Sequence, residues 1–246
     1  MRIAILTDIH ANREALTACL EHAGRQRIDR YVFLGDYVGY GADPVFAIET
    51  VMTHVERGAI AVLGNHDAAA IVPDRSMNDA AFAAMAWTRH RLDAAHLAFI
   101  RGVPLSREDD GRLYVHASAD MPRAWHYVTD RHAASQCLAA TNAQATFCGH
   151  THVPALFHRS LTGRTASFKP HDGVEIPLTA ARRWLAVIGS VGQPRDHNPA
   201  ACYAVLDATR SALTYFRVPY DVDTAARKIS DAGLPPVLSR RLYAGW

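Results

Sequence analysis

The sequence predicts an α/β protein in which a parallel β half precedes a mainly β half. Three observations support this class. Apolar runs alternate with segments of helical periodicity up to about residue 100, short strand-like runs dominate thereafter, and no internal repeat or flexible linker divides the 246 residues. Alternation of this kind is typical of βαβ units around a parallel sheet. We therefore expect a single domain spanning residues 1–246.

The first half of the chain contains the elements of the parallel sheet. RIAILT (2–7) lacks polar alternation, as expected for a strand buried on both faces, and the following helix has Asn12 as its N-cap. YVFLG (31–35) precedes a helix that begins at Pro44, a favoured first helical residue. AIAVLG (59–64) is the third strand, and a long helical stretch follows it.

The pattern of apolar and polar residues changes after the third strand. Between Asp67 and Arg101 the pattern indicates an amphipathic helix pair, which either covers the sheet or caps a site. Turn residues then separate the strand-like runs RLYVHAS, ATFCGH, PALFHRS, RTASFKP, GVEIPLT, RWLAVIGS, ACYAVLD and SALTYFRVP. A last helix, VDTAARKISDAG, and a Pro-containing tail complete the chain.

Composition excludes several classes of protein. The net charge is only +2 and the basic residues are dispersed, which argues against a dedicated nucleic-acid or membrane-surface protein but allows a phosphorylated substrate. No apolar run reaches the roughly 18 residues of a membrane span. The four cysteines form no C-x-x-C pair, so we expect buried thiols and a cytoplasmic protein.

Five of the apolar runs end in side chains that can bind a metal ion. The carboxyl ends of strands in an open α/β sheet surround one crevice, so these side chains should converge. Carboxylate, imidazole and amide groups together suit manganese, iron or zinc, and seven ligands favour two ions that share a carboxylate. The seven candidates are Asp8, His10, Asp36, Asn65, His116, His150 and His152.

Spacing suggests how the candidates divide their work. In D-x-H and H-x-H, residues two apart on an extended segment project to the same side, so both reach one ion. Asp36 stands alone at its strand end and is the candidate to bridge two cations with its two oxygens. His66 points away from Asn65 and stays free for chemistry. Paired metals are a known device for in-line displacement at phosphorus.

The motifs DIHAN, GDYVGYG, GNHD, YVHAS and GHTH resemble, in the same order, those of the calcineurin-like metallophosphoesterases. GSVGQPRD (189–196) resembles the GS-x-G-x-PR segment that closes the site in small bacterial members. The resemblance therefore extends over most of the chain. It implies a four-layer α/β/β/α sandwich with a dinuclear metal centre.

The resemblance also implies a role for each matching residue. One ion would be held by Asp8, His10, Asp36 and His152, and the other by Asp36, Asn65, His116 and His150. A metal-bridging hydroxide would attack phosphorus. His66 would act near the leaving group, with Asp67 orienting it. Manganese is favoured over iron, zinc or magnesium as the divalent ion.

The substrate expected is a small phosphorylated molecule or a nucleotide, as a monoester or a diester. Phosphoprotein phosphatases of this family carry an acidic residue where this chain has Gly39, which weakens that alternative. A non-catalytic interaction module is the other alternative, and erosion of the site should then remove ligands; none of the seven is missing.

Substrate-binding residues are expected around the motifs. Arg195 can offer two donors to a phosphate oxygen, and Tyr40 and Arg123 are further candidates. Trp125 and Tyr127 either line the cleft and stack on a nucleobase or pack in the core.

Overall fold

The computed structural model describes all 246 residues, which form two six-stranded sheets and eight helices. The first sheet contains β1 (Arg2–Leu6), β2 (Arg30–Phe33), β3 (Ile60–Ala61), β9 (Glu175–Pro177), β11 (Ala201–Asp207) and β12 (Ala212–Val218). The second contains β4 (Ser106–Asp109), β5 (Arg112–Val115), β6 (Ala145–Cys148), β7 (Ala155–Ser160), β8 (Thr165–Phe168) and β10 (Arg182–Val187). Their spatial orders are β3-β2-β1-β11-β12-β9 and β4-β5-β6-β10-β7-β8.

Each sheet combines a parallel trio with antiparallel strands. In the first sheet β1, β2 and β3 are parallel, and β1 then pairs with β11 in the antiparallel sense. In the second sheet β5, β6 and β10 are parallel, and β10 pairs with β7 in the antiparallel sense. The expectation of one parallel half followed by a mainly β half is therefore too simple, because parallel strands occur in both sheets.

Helices cover the outer face of each sheet. The eight helices are α1 (Arg13–Gly24), α2 (Pro44–Glu56), α3 (Asn65–Ile71), α4 (Asp79–Arg89), α5 (Ala94–Gly102), α6 (Arg131–Ala139), α7 (Val222–Asp231) and α8 (Pro236–Ala244). α1, α2, α3 and α5 share a buried apolar cluster with the first sheet, and α6 shares one with the second. A further cluster lies between the sheets. The four-layer sandwich is confirmed.

The alternation of side chains along β1 explains this layering. Ile3 and Ile5 lie in the cluster between the sheets, whereas Ala4 and Leu6 lie in the cluster under the helices. Successive side chains of a strand point to opposite faces, so a strand in a middle layer needs apolar residues at every position. The absence of polar alternation in RIAILT follows from this burial on both faces.

The segment between Asp67 and Arg101 differs from the prediction of a helix pair. Three helices, α3, α4 and α5, occupy it. Two polar residues begin new helices within the stretch: Asn78 caps α4 by accepting the amide of Ala81, and Asp93 caps α5 by accepting the amide of His96. The helices cover the sheet, while the loop between α3 and α4 borders the cleft described below.

Three elements have no counterpart in the prediction. β4 is a charged strand, SRED, that pairs with β5, and α6 follows the N-cap Asp130. The Pro-containing tail forms α8, which begins at Pro236 and buries Leu238 and Leu242. No helix combines the length and apolar character needed to cross a membrane. All four cysteines are buried and free, as expected.

Candidate metal centre and cleft

The seven predicted metal ligands converge at the carboxyl ends of strands from both sheets. Six are buried, and Asn65 is half-buried. Asp8 and His10 follow β1, Asp36 follows β2 and Asn65 begins α3. The second sheet contributes the remaining ligands, because His116 follows β5 and both His150 and His152 follow β6. The prediction that these side chains share one crevice agrees with the structure.

A first cluster contains Asp8, His10 and His152. Asp8 Oδ1 lies 3.2 Å from His152 Nε2 and 3.9 Å from His10 Nε2, and the two Nε2 atoms are 3.1 Å apart. His10 Nδ1 donates to the carbonyl of Val38 at 3.3 Å, and His152 Nδ1 donates to the carbonyl of Gln193 at 2.6 Å. With its proton on Nδ1, each ring presents an Nε2 lone pair to the cluster.

A second cluster contains Asp36, His116 and His150, with Asn65 beside them. His116 Nε2 lies 3.1 Å from Asn65 Oδ1, 3.2 Å from His150 Nδ1 and 3.3 Å from Asp36 Oδ2. His116 Nδ1 donates to the carbonyl of Leu34 at 2.8 Å, which again directs an Nε2 lone pair inward.

Asp36 connects the clusters through one oxygen. Its Oδ2 lies 3.3 Å from His116 Nε2 and 3.7 Å from His10 Nε2, whereas its Oδ1 accepts the amide of His66 at 2.8 Å. That Asp36 bridges two cations stays a prediction, and only Oδ2 of its carboxylate faces both clusters. The amide of His66 occupies the second oxygen and fixes the plane of the carboxylate.

The donor set fits divalent cations. Two imidazole lone pairs 3.1 Å apart repel each other unless a proton or a cation lies between them. Burial and the neighbouring His66 lower the pKa of His10 well below its ordinary value, and burial and Arg195 lower the pKa of His152. Protons are thus disfavoured at both rings, and nitrogen with carboxylate oxygen suits a borderline metal.

Charge within the second cluster points the same way. Burial opposes ionisation of Asp36, but His116 and His66 hold its pKa well below the ordinary range. Burial opposes the charged form of His116, yet Asp36 raises its pKa to about 9. The buried, ionised carboxylate of Asp36 is stabilised by positive charge nearby. A cation bound there would compete with the proton on His116.

The H-x-H motif does not serve one ion. His152 belongs to the first cluster and His150 to the second. The spacing argument assumed extended backbone, but φ is 66° at His150 and 60° at His152. In this left-handed conformation the backbone turns at each histidine and sends the two rings to different clusters. These two groups agree with the division that the family resemblance implies, and a third group, His10, Asp36 and His66, overlaps both.

Close backbone contacts hold the ligand loops together. A methyl group on Gly64 would collide with the amide and carboxylate of Asp36, and one on Gly149 would collide with the carboxylate of Asp8. The segment 189–196 contacts the first ligand loop, since Gly192 N and Ser190 Oγ both donate to the carbonyl of Asp8, at 2.8 and 2.9 Å. Gly192 permits this approach, since a methyl group there would collide with the carbonyl of Ile9.

His66 and Asp67 have different surroundings from those expected. The His66 ring is buried against Tyr40 and His10, with centroids 4.5 and 4.8 Å away, and its Nδ1 has no hydrogen-bond partner. Burial lowers its pKa to about 4, although Asp36 opposes this shift. Asp67 does not orient this ring. Its carboxylate accepts the amides of Asp36, Tyr37, Val38 and Gly64 at 2.8, 2.9, 3.4 and 3.1 Å.

A cleft of about 430 Å³ opens over the ligands. Its lining includes Tyr40 and Arg195 and, from the second sheet's side, Trp125 and Tyr127. Arg195 Nη2 donates to Gln193 Oε1 at 3.1 Å and to the Tyr40 hydroxyl at 3.4 Å. Tyr40 and Arg195 thus lie where a substrate would contact them.

The aromatic segment belongs to the cleft rather than to the core. Tyr127 is 53% exposed and stacks on the His150 ring at 4.1 Å, and Trp125 lies edge-on to His116 at 5.9 Å. Arg123 is outside this cleft and lines a neighbouring cavity. Asp74, Ser76 and Asn78 also line the cleft and were not predicted; their polar cluster between two helical patterns was the available signal.

Gly39 has no space for a side chain. Its φ is +87°, and a Cβ would lie 2.5 Å from His66 Nδ1 and 2.8 Å from Met85 Sδ. The acidic residue that phosphoprotein phosphatases carry at this position therefore does not fit beside His66 in this chain.

Comparison with known proteins agrees with the geometry. The model of the calcineurin-like phosphoesterase superfamily domain matches residues 1–211. The chain belongs to this superfamily and is a metal-dependent phosphoesterase, as its motifs predicted.

Two relatives extend over nearly the whole chain. A metallophosphoesterase from Sphaerobacter thermophilus is 35% identical, with a TM-score of 0.88 and coverage of 100% of this chain and 99% of its own. The uncharacterized protein MJ0912 of Methanocaldococcus jannaschii is 31% identical over 249 residues, covering 99% of this chain and 98% of its own. The hypothetical protein PH1004 from Pyrococcus horikoshii shares the fold, at 19% identity, a TM-score of 0.80 and coverage of 100% and 98%.

Proposed function

We propose that the chain is a dinuclear phosphoesterase acting on a small phosphorylated substrate or nucleotide. One ion would be held by Asp8, His10, Asp36 and His152, and the other by Asp36, Asn65, His116 and His150. The observation that carries this proposal is the arrangement of two lone-pair clusters around a single oxygen of Asp36. One ion would satisfy only one of these clusters.

The chemistry of the pair follows from its charge. Two divalent ions supply an activated nucleophile and offset the charge of the phosphoryl group. Manganese remains the metal that we favour within the group of manganese, iron and zinc, all of which suit imidazole with carboxylate donors. The whole chain, 1–246, would act as one domain, since a single apolar cluster contains residues of both sheets. Four free buried thiols fit a reducing compartment such as the cytoplasm.

The protein's own groups would bind the substrate and assist the leaving group. Arg195 would donate to a phosphate oxygen, with Tyr40 and Gln193 holding its guanidinium. His66 would stabilise the leaving oxygen by a hydrogen bond from its neutral ring. This ring borders the cleft, and the His66 amide donates to Asp36. Gly39 disfavours a phosphoprotein phosphatase, and the complete ligand set disfavours a non-catalytic module.

The test combines metal analysis with hydrolysis. The purified protein should bind two manganese ions per chain and hydrolyse p-nitrophenyl phosphate or bis(p-nitrophenyl) phosphate, and a chelator should abolish the turnover. Asp36→Asn should lose both metal and activity. His66→Gln should keep the metal and turn over more slowly, most of all with a poor leaving group. Equal rates with and without metal would refute the proposal, and a stoichiometry of one would refute the dinuclear centre.

A further inference from the structure

The cleft over the metal ligands continues into a second chamber of about 500 Å³. Asn65, Asp74 and Trp125 line both spaces, so the two adjoin along these residues. Each space has the size of a small-molecule site. A molecule bound at the ligand cluster can therefore extend past Trp125 into the second chamber.

Apolar side chains form most of the second chamber. These side chains follow β3, lie at the end of α3 or belong to the connection after α5. They are Leu63, Ile71, Val72, Val103, Pro104 and Leu105. Val72 is 68% exposed, and none of the six is fully buried. An exposed apolar surface beside a cleft is typical of a ligand-binding site, because the bound ligand shields that surface from water.

Two arginines give this chamber a positive charge. Arg101, at the end of α5, and Arg123, in the turn after β5, both line it, and neither side chain forms an ion pair or hydrogen bond. Neither residue borders the first cleft. Guanidinium groups with all their donors free are suited to bind an anion.

Asp74 is the one carboxylate at the junction of the two chambers. Its Oδ1 accepts the amide and hydroxyl of Ser76 at 2.8 and 2.7 Å, and these hydrogen bonds lower its pKa. An anion is therefore repelled at the junction and attracted to the arginines beyond it. Along the groove, the predicted metal ligands come first and are followed by Asp74 and Trp125. The apolar surface with Arg101 and Arg123 lies beyond them.

We propose that this second chamber is a subsite for one organic substituent of the ester, namely an aromatic or aliphatic group that carries an anionic group. The inference rests on the proposed phosphoesterase function and adds specificity to it. Trp125 and the apolar wall contact the carbon skeleton, and Arg101 and Arg123 bind the anion. A simple monoester fills the first cleft alone, whereas a diester with a long acidic substituent fills both.

The experiment compares two diesters that release the same chromophore from manganese-loaded protein. These are phenyl 4-nitrophenyl phosphate and 4-carboxyphenyl 4-nitrophenyl phosphate. The wild-type protein should prefer the carboxylated diester about tenfold in kcat/KM, mainly through KM. The double variant Arg101→Gln/Arg123→Gln should lose this preference, and Arg101→Glu/Arg123→Glu should reverse it. Arg164→Gln, at an exposed arginine of the β7–β8 turn, is the matched control and should keep the preference.

A binding measurement gives a second readout. Calorimetric titration with 4-carboxybenzylphosphonate should show about tenfold weaker binding to the double variant than to wild type. Equal kcat/KM for the two diesters, or a preference that survives in the double variant, overturns the subsite while leaving the phosphoesterase intact. Manganese-dependent hydrolysis of p-nitrophenyl phosphate or bis(p-nitrophenyl) phosphate in the same assay tests the proposed function separately. Its absence would overturn both.

Discussion

Asp67 offers the sharpest test of how the site is built. The side chain is fully buried, and its carboxylate accepts three backbone amides within 3.1 Å and a fourth at 3.4 Å. Three of these amides belong to the loop that carries Asp36, and one belongs to Gly64 beside α3. Asp67 thus connects two loops that carry predicted ligands, and we expect its replacement to lower both the stability of the protein and its affinity for metal.

The magnitude follows from the amides that lose their acceptor. A buried N–H without a partner costs about 1–2 kcal/mol, so Asp67→Ala should lower the free energy of unfolding by about 3–6 kcal/mol. Asp67→Asn keeps one acceptor oxygen but turns an NH₂ group towards two amides, which should cost about 2–4 kcal/mol. Domains have about 5–15 kcal/mol in total, so the asparagine variant should remain folded and measurable. Displacement of the Asp36 loop should also weaken manganese binding about 10–100-fold.

Urea unfolding and calorimetric manganese titration provide the two readouts. Asp130→Asn is the matched control, because Asp130 also accepts two amides, at 2.8 and 2.9 Å, but lies exposed at the start of α6. Asparagine caps helices as well as aspartate does, so this variant should change stability by less than about 0.5 kcal/mol. If Asp67→Asn kept wild-type stability and metal affinity and slowed only turnover, Asp67 would act through His66 and the reasoning here would fail.

Two further substitutions test the cleft and its support. Gly39→Asp should lower the free energy of unfolding by about 1–3 kcal/mol, because the residue has φ +87° and a Cβ would crowd His66. Urea unfolding measures this loss of stability. A variant of wild-type stability that gained phosphopeptide hydrolysis would contradict the prediction. Leu238→Ala should cost about 2–5 kcal/mol, because Leu238 is fully buried in α8 within the cluster that contains Tyr40. Leu161→Ala, at a side chain that is 90% exposed, should change stability by less than about 0.5 kcal/mol in the same assay.

Local sequence patterns predicted the fold where burial alone determines structure. β1 and α1 agree with their predictions because strand and helix periodicity reports burial directly. β4 could not be predicted, since SRED has no apolar pattern and is a strand only through its pairing with β5. α8 could have been found, because Leu238 and Leu242 are four residues apart on one helical face.

The candidate ligands were predictable by position, but the contacts that hold them in place were not. The rule that ligands follow parallel strands located all seven side chains in the chain. It could not identify the partners of Asp67 or the single oxygen of Asp36 that faces both clusters. Those features depend on contacts between loops that are about 30 residues apart in sequence, such as Asp36 N to Asp67 and His66 N to Asp36. No local pattern encodes the distance between two such loops.

The backbone conformation of the loops fixes the positions of the predicted metal ligands. Asp8, His10, Asp36, His150 and His152 have φ between 50° and 66°. Aspartate and histidine tolerate this left-handed region better than most residues, but each still costs about 1 kcal/mol. The conformations persist because hydrogen bonds between loops fix them; His10 N, for example, donates to the carbonyl of Asp36 at 2.9 Å. A scaffold that holds five predicted ligands in this way has already met the conformational cost of the site. Cation binding then needs little rearrangement, so its affinity should depend on the contacts between loops as much as on the ligands themselves.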